Sequence, residues 1–138
     1  MSTRWAEPYV GIPYLDGGLD ERGCSCWGLV RMVLREQAGI DLSPHGTIEA
    51  RDLDAIARQV GAERISGDWT EVPTGDERRL DVVLMSNGIN RAPTHVGIVL
   101  EPGRLLHVEA KTAAVIVPLS RPMIAPRVIA IYRHAGLR

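Results

Sequence analysis

What is scarce in this chain narrows its chemistry before any motif is read. Lys plus Arg is 16 and Asp plus Glu is 17, a formal net charge of −1, so there is no basic surplus from which a nucleic-acid binder would draw its counterion-release affinity. No stretch approaches the roughly 20 apolar residues that span a bilayer. The start, Met1-Ser2-Thr3-Arg4-Trp5-Ala6-Glu7-Pro8, lacks the apolar core of a signal peptide. The expectation is a chain with no nucleic-acid partner and no membrane span, not exported by a leader. Repeats and low-complexity segments are also missing. Cysteine is limited to Cys24 and Cys26, and the single residue between them would force a strained ring on a disulfide, whose Cα atoms prefer to lie about 5.5 Å apart. Both read as thiols. With the four histidines, His45, His95, His107 and His134, any thiol or imidazole chemistry is confined to six residues.

What remains is an ordinary globular composition. The 138 residues are 45% hydrophobic and 24% charged, which fits one domain over 1–138 with one core. From Glu7 to Gly23 turn formers dominate (Pro8, Gly11, Pro13, Gly17, Gly18, Gly23), predicting irregular surface chain of the kind that often lines sites. Between Cys26 and Gln37, Leu29, Val30, Val33 and Leu34 fall at helical spacing, with Gly23 to Ser25 leading in and Gly39 as C-cap. A second helix is predicted from about Thr47 to Val60, with Thr47 as N-cap, Leu53, Ile56, Ala57 and Val60 on one face and Gly61 as the stop. Beyond Gly67 come short apolar runs: Trp69 to Val72, Asp81 to Met85, His95 to Leu100, Arg104 to Glu109, Ala114 to Val117 and Arg127 to Tyr132. Short turns such as Glu101-Pro102-Gly103 join them and no helix intervenes, so the five or six strands should form an antiparallel sheet in an α+β domain.

The chemistry centres on the start of the first helix. A thiol attacks as thiolate, and a helix N-terminus lowers its pKa through free amides and the helix dipole. Cys26 is so placed; Cys24, ahead of the helix, reads as incidental. With Glu101-Pro102-Gly103 as a three-residue loop, Leu100 faces Arg104 and Gly97 faces His107. His95 and His107 then share a face as diagonal neighbours, and the missing side chain at Gly97 leaves room between them. A Cys, a His and a polar group orienting that His form the nucleophile, base and orienter pattern of cysteine hydrolases. Glu109 is the second candidate for the orienting role.

Several segments in order carry a resemblance: Val10-Gly11-Ile12-Pro13-Tyr14 with Gly17-Gly18, Gly23 to Val30 containing Cys26-Trp27-Gly28-Leu29-Val30, Asp81 to Met85, His95-Val96-Gly97-Ile98, and Leu106-His107-Val108. From about Val10 to Tyr132 the chain resembles the NlpC/P60 cysteine peptidases, and within them the short members encoded with phage-tail and gene-transfer-agent genes. The resemblance implies a reduced papain-like fold, N-terminal helices packed on the sheet, with Cys26 as nucleophile, His95 as general base and His107 as the polar third residue. It implies hydrolysis of peptide stems of bacterial peptidoglycan without a cofactor. Tyr14 matches a family tyrosine beside the thiol that helps hold substrate or the oxyanion, and Ser25 and Trp27 flank the nucleophile as further substrate-binding candidates. Two positions depart from the family pattern: Ser25 stands where Asp usually precedes the nucleophile, and Leu80 where Gly precedes the Asp of the first sheet strand.

Other readings use the same residues. Cys24, Cys26, His95 and His107 would give zinc two sulfurs and two nitrogens, although structural knuckles prefer two to four residues between cysteines. A catalytically silent adaptor of a tail tip is another. Trp27 lines a groove or packs beneath the helix. Trp5 and Trp69 are structural or partner-facing, His45 and His134 exposed and inert, and Asp16, Asp20 and Glu21 either a solvated face or a contact for the amine of a diamino acid. Without a leader, such an enzyme would be made in the bacterial cytoplasm, carried in a virion or gene-transfer particle, and act in the cell wall. A tail-hub or baseplate protein would then bind Met1 to Tyr9, with Trp5 as anchor, or the outer sheet face.

Overall fold

A computed structural model describes residues 3–43, 53–88 and 91–137. The predicted Thr47 cap and His45 lie outside the described residues, as do the side chains of Leu53, Ile56 and Ala57. Helix α1 (Cys26–Ala38) buries Leu29, Val30, Val33 and Leu34 as their spacing predicts. It stops at Gly39, whose φ of 66° lets its N–H reach the Arg35 carbonyl while Ile40 N–H reaches Leu34. Helix α2 runs Leu53–Arg64, past the expected stop at Gly61. A Cβ at Gly61 would meet nothing, and an exposed helical glycine costs only about 1 kcal/mol. The end comes instead where Ser66 bonds the Glu63 carbonyl through both its N–H and its Oγ and Gly67 takes φ 86°.

The sheet contains six strands: β3 (Trp69–Val72), β4 (Val82–Met85), β5 (His95–Glu101), β6 (Arg104–His107), β7 (Val115–Pro118) and β8 (Val128–His134). Their order is β3-β8-β4-β5-β6-β7, with every pair antiparallel. Alternation sorts the side chains to two faces. Val82, Leu84, Val96, Ile98, Leu106 and Val108 pack with α1, while Val83, Met85, Val99, Leu105, Val117 and Ile131 form a second buried cluster with Ile124 and Leu119 of the β7–β8 connection. The outer sheet face suggested as a docking surface is thus filled from within the chain. The β5–β6 turn is tighter than expected: Glu101 pairs with Arg104 across Pro102-Gly103, and the extra residue, Leu100, forms a bulge. From Val99↔Leu105 and Ile98↔Leu106 onward the register is the expected one.

The Glu7 to Gly23 segment is more ordered than its turn formers suggest. Arg4–Tyr9 form a 3₁₀ turn that buries Ala6 and Tyr9. Tyr9 Oη donates to Glu36 at 2.6 Å, and Arg79 stacks 4.5 Å from the centroid of Trp5. Trp5 folds back on the core. Leu19–Asp20 (β1) and Gly23–Cys24 (β2) make a two-stranded ribbon, its turn closed by Asp20 accepting the Arg22 N–H at 2.9 Å. His134, expected to be inert in a tail, closes β8 with its ring 4.8 Å from that of Trp69 in an edge contact. Leu80 takes φ 74°, a conformation that glycine adopts without strain; its burial offsets the cost. Next to it Asp81, fully buried, accepts from Arg133 Nε and Nη2 at 2.8 Å each and from the Arg78 N–H, tying β8 to the start of β4. No helix among the described residues is long and apolar enough to cross a membrane.

Candidate active site

The first turn of α1 is built around its cap. Ser25 is extended (φ −80°, ψ 173°), and its Oγ accepts the Gly28 N–H at 2.9 Å, so the hydroxyl does for the helix what a carboxylate would do elsewhere. A Cβ on Gly28 would run into the Gly18 carbonyl oxygen. Glycine therefore lets the Tyr14 to Gly18 loop lie against the helix start. Leu15 N–H bonds the Cys24 carbonyl and Ser25 N–H bonds the Gly18 carbonyl, which brings Tyr14 beside the thiol. Cys26 is half-buried as the first helical residue, and the amides of Val96 and Trp27 face its sulfur. Burial nevertheless pushes the thiol pKa up, against those amides. This corrects the expectation of a thiol acidified by the helix terminus. Cys24 is fully buried and burial pushes its pKa to about 11, in keeping with an incidental role.

One residue before Val96, His95 opens β5. Its Nε2 lies 2.9 Å from His107 Nδ1, with the two rings edge-on and their centroids 5.2 Å apart. The two histidines share a face as the register predicts. Gly97 makes this possible, because a Cβ there would come within 2.6 Å of Leu105 Cδ1 and 3.0 Å of His107 Cβ. Burial, then the neighbouring His107, pushes His95 down to about 3, opposed by the Glu109 carboxylate; burial also lowers His107. Both rings rest neutral at neutral pH.

Glu109 stands behind the pair, its Oε1 3.7 Å from His107 Nδ1 and 2.7 Å from Arg127 Nη1. Burial would raise its pKa, but the Arg127 hydrogen bond and the nearby rings bring it below the usual carboxylate range. Arg127 is the participant that sequence reasoning missed. It sits just before β8, and Met85 explains its arrival: Met85 pairs with His95 on one side and Val128 on the other. Only strand order carries that information, and strand order has no local signal.

The remaining candidates divide. Tyr14 Oη donates to Asp16 at 2.8 Å, and burial followed by that hydrogen bond raises its pKa, so it is a neutral phenol beside the sulfur. Trp27 packs against the core cluster and its Nε1 donates to the Ser43 carbonyl at 2.8 Å. Asp20 is spent on its own turn. The zinc set Cys24, Cys26, His95 and His107 is not assembled: among the described residues the donor atoms that gather, all within 4.8 Å, belong to His95, His107 and Glu109.

The NlpC/P60 family profile matches residues 11–133, and the chain belongs to that family. It is 28% identical over 133 residues to the gamma-DL-glutamyl hydrolase of Bacillus subtilis, covering 96% of this chain and 28% of that protein. It is 24% identical over 122 residues to a probable endopeptidase of Haemophilus influenzae, covering 88% of this chain and 66% of that one. The chain therefore spans a little over a quarter and about two thirds of these two relatives. Among solved structures, a lipoprotein-like NLP/P60 family protein of Staphylococcus aureus superposes with TM-score 0.65 at 23% identity, over 94% of this chain and 38% of that one. The NlpC/p60 domain of the peptidoglycan hydrolase SagA gives 0.62 at 18%, over 96% and 99%. These two show the fold.

Proposed function

We propose that the chain is a cysteine peptidase that hydrolyses peptide stems of bacterial peptidoglycan, with Cys26 as nucleophile, His95 as general base and His107 as its orienter. The observation that carries the reading is the 2.9 Å His95–His107 bond beside the helix start that presents Cys26. Since Nε2 of His95 faces His107, Nδ1 is the nitrogen left for the thiol. As the sulfur attacks the stem carbonyl carbon, its proton passes to His95 Nδ1 and the carbonyl oxygen takes the negative charge. Collapse of this intermediate breaks the C–N bond, and the leaving amine takes the proton from His95. A water, deprotonated by His95, then hydrolyses the thioester and restores the thiol. The names of the relatives, a gamma-DL-glutamyl hydrolase and a probable endopeptidase, support hydrolysis of a glutamyl or peptide amide bond, and the choice of peptidoglycan rests on the family resemblance. Tyr14 is the substrate contact beside the sulfur, and it must release Asp16 before its hydroxyl can donate to a substrate oxygen.

The test is digestion of purified peptidoglycan, with the released stems identified by mass spectrometry. Cys26→Ala and His95→Ala should release nothing, and His107→Ala should retain some turnover. Full activity of Cys26→Ala, or no release by the wild type, overturns the proposal, the latter in favour of an adaptor role. The likeness to short tail-associated members supports a second proposal: the protein travels in a phage tail or gene-transfer particle, docked on a hub or baseplate protein. Its absence from purified particles would end that reading and leave the peptidase reading intact.

A further inference from the structure

We propose that Arg127 is a positioning residue acting through Glu109: it holds the carboxylate just outside hydrogen-bond range of His107, so that His107 Nδ1 stays unprotonated and can accept the proton on His95 Nε2. The inference deepens the hydrolase reading and rests on it. The 2.9 Å contact between the two rings holds one proton, and either ring can supply it. If His95 Nε2–H donates, His95 Nδ1 is a free lone pair, as a base for the Cys26 thiol requires. If His107 Nδ1–H donates, neutral His95 carries its proton on Nδ1 and has no lone pair there to accept the thiol proton. Which arrangement prevails depends on what else faces His107 Nδ1.

That neighbour is Glu109. At 3.7 Å its Oε1 attracts positive charge without making a hydrogen bond. A move inward of about 1 Å would make it an acceptor for Nδ1–H and select the unproductive arrangement. Arg127 opposes that move with a 2.7 Å hydrogen bond to the same oxygen. The guanidinium is itself fixed, because its Nε donates to the Ser86 carbonyl at 3.0 Å and its backbone carbonyl accepts the Ser86 N–H at 2.8 Å. Its side chain is 14% exposed against 38% for Glu109, so water reaches the contact chiefly from the carboxylate side. The charged groups acting on the two rings among the described residues are Glu109 and Arg127. Held in place, Glu109 still stabilises the imidazolium that forms during attack, as it raises the pKa of both rings.

The test reads the tautomer directly, by long-range ¹H–¹⁵N correlation on the full chain labelled in histidine nitrogen, with His107 assigned from the His107→Asn spectrum. Wild type should show His107 protonated on Nε2 alone. Arg127→Met should protonate Nδ1, move the acid limb of kcat/KM to higher pH, and lower kcat at least tenfold with little change in KM. Arg127→Lys should keep the wild-type pattern. Adding Glu109→Gln to Arg127→Met should return His107 to Nε2–H and recover part of the lost kcat, because no carboxylate remains to capture Nδ1. A wild-type His107 protonated on Nδ1 overturns the proposal without any variant. So does an Arg127→Met spectrum identical to wild type, or a double variant worse than the single one. The expected tautomers in a chain that releases no stem peptides would count against the hydrolase reading alone.

Discussion

Gly97→Ala joins packing to chemistry in one methyl group. The added Cβ would lie 2.6 Å from Leu105 Cδ1, 3.0 Å from His107 Cβ and 3.1 Å from the Leu106 carbonyl oxygen. Leu105 is fully buried, so its methyl must move by about 1 Å into a packed core, and overpacking of this kind costs about 1–3 kcal/mol. His107 must also withdraw by roughly half an ångström, stretching a 2.9 Å contact toward the limit at which a hydrogen bond is lost. Misplacements of about 1 Å cost on the order of a hundredfold in rate, so kcat on peptidoglycan should fall about ten- to a hundredfold. Urea denaturation and stem release measure the two losses separately. Leu105→Val removes the nearest clashing methyl but not the His107 contact. Gly97→Ala with Leu105→Val should therefore be less destabilised than the sum of the single changes, while activity stays low. Wild-type kcat in Gly97→Ala, or recovery of activity with stability in the double variant, would refute the reasoning.

Other consequences are open to measurement. Iodoacetamide should label Cys26 and leave fully buried Cys24 unmodified in the folded protein, with a rate that keeps climbing above the usual thiol pKa because burial raises that of Cys26; equal labelling in a peptide map would contradict this. His95, lowered to about 3 from its ordinary 6.5, binds fewer protons folded than unfolded between those values, so stability should fall as pH drops below about 6.5. His95→Gln should flatten that part of the urea-midpoint profile. Asp81→Asn strips the partner from Arg133, which is a quarter exposed, and should destabilise by about 3 kcal/mol, the low end for a broken buried pair. At Leu80, φ 74° costs a non-glycine residue about 1–2 kcal/mol, so Leu80→Gly should be about 1 kcal/mol more stable than Leu80→Ala though less stable than wild type; calorimetry showing alanine the better replacement would deny the strain.

Legibility in the sequence followed the range of the forces involved. The helix of Cys26 could be read because Leu29, Val30, Val33 and Leu34 declare one face and Gly39 ends it, all within one element. The meeting of His95 with His107 could be read because β5 and β6 are joined by a two-residue turn, so alternation fixes which side chains share a face. The reading survived a wrong loop length, since the Leu100 bulge absorbs one residue and restores the register where it matters. The second helix was misplaced at its end because an exposed glycine is only a weak breaker. Arg127 was invisible, since it reaches Glu109 only after β8 inserts between β3 and β4.

The thiol shows a different failure, of magnitude and not of range. Helix-terminus effects are worth about 0.3–1 kcal/mol and at most about 2, so they lower a thiol pKa by roughly one unit. Burial can shift an ionisable group by several units in the opposite direction. At Cys26 both act, and burial prevails. The same burial keeps His95 neutral, so the resting site holds an uncharged thiol and an uncharged imidazole in place of a standing ion pair. In the proposed mechanism, charge separation then belongs to the attack itself. It must be supported at that moment by groups already in position: the Val96 and Trp27 amides at the sulfur, and Glu109 behind the rings. In the mechanism we propose, the nucleophile is quiet in water, and substrate binding would bring the electrophile that makes proton transfer to His95 favourable.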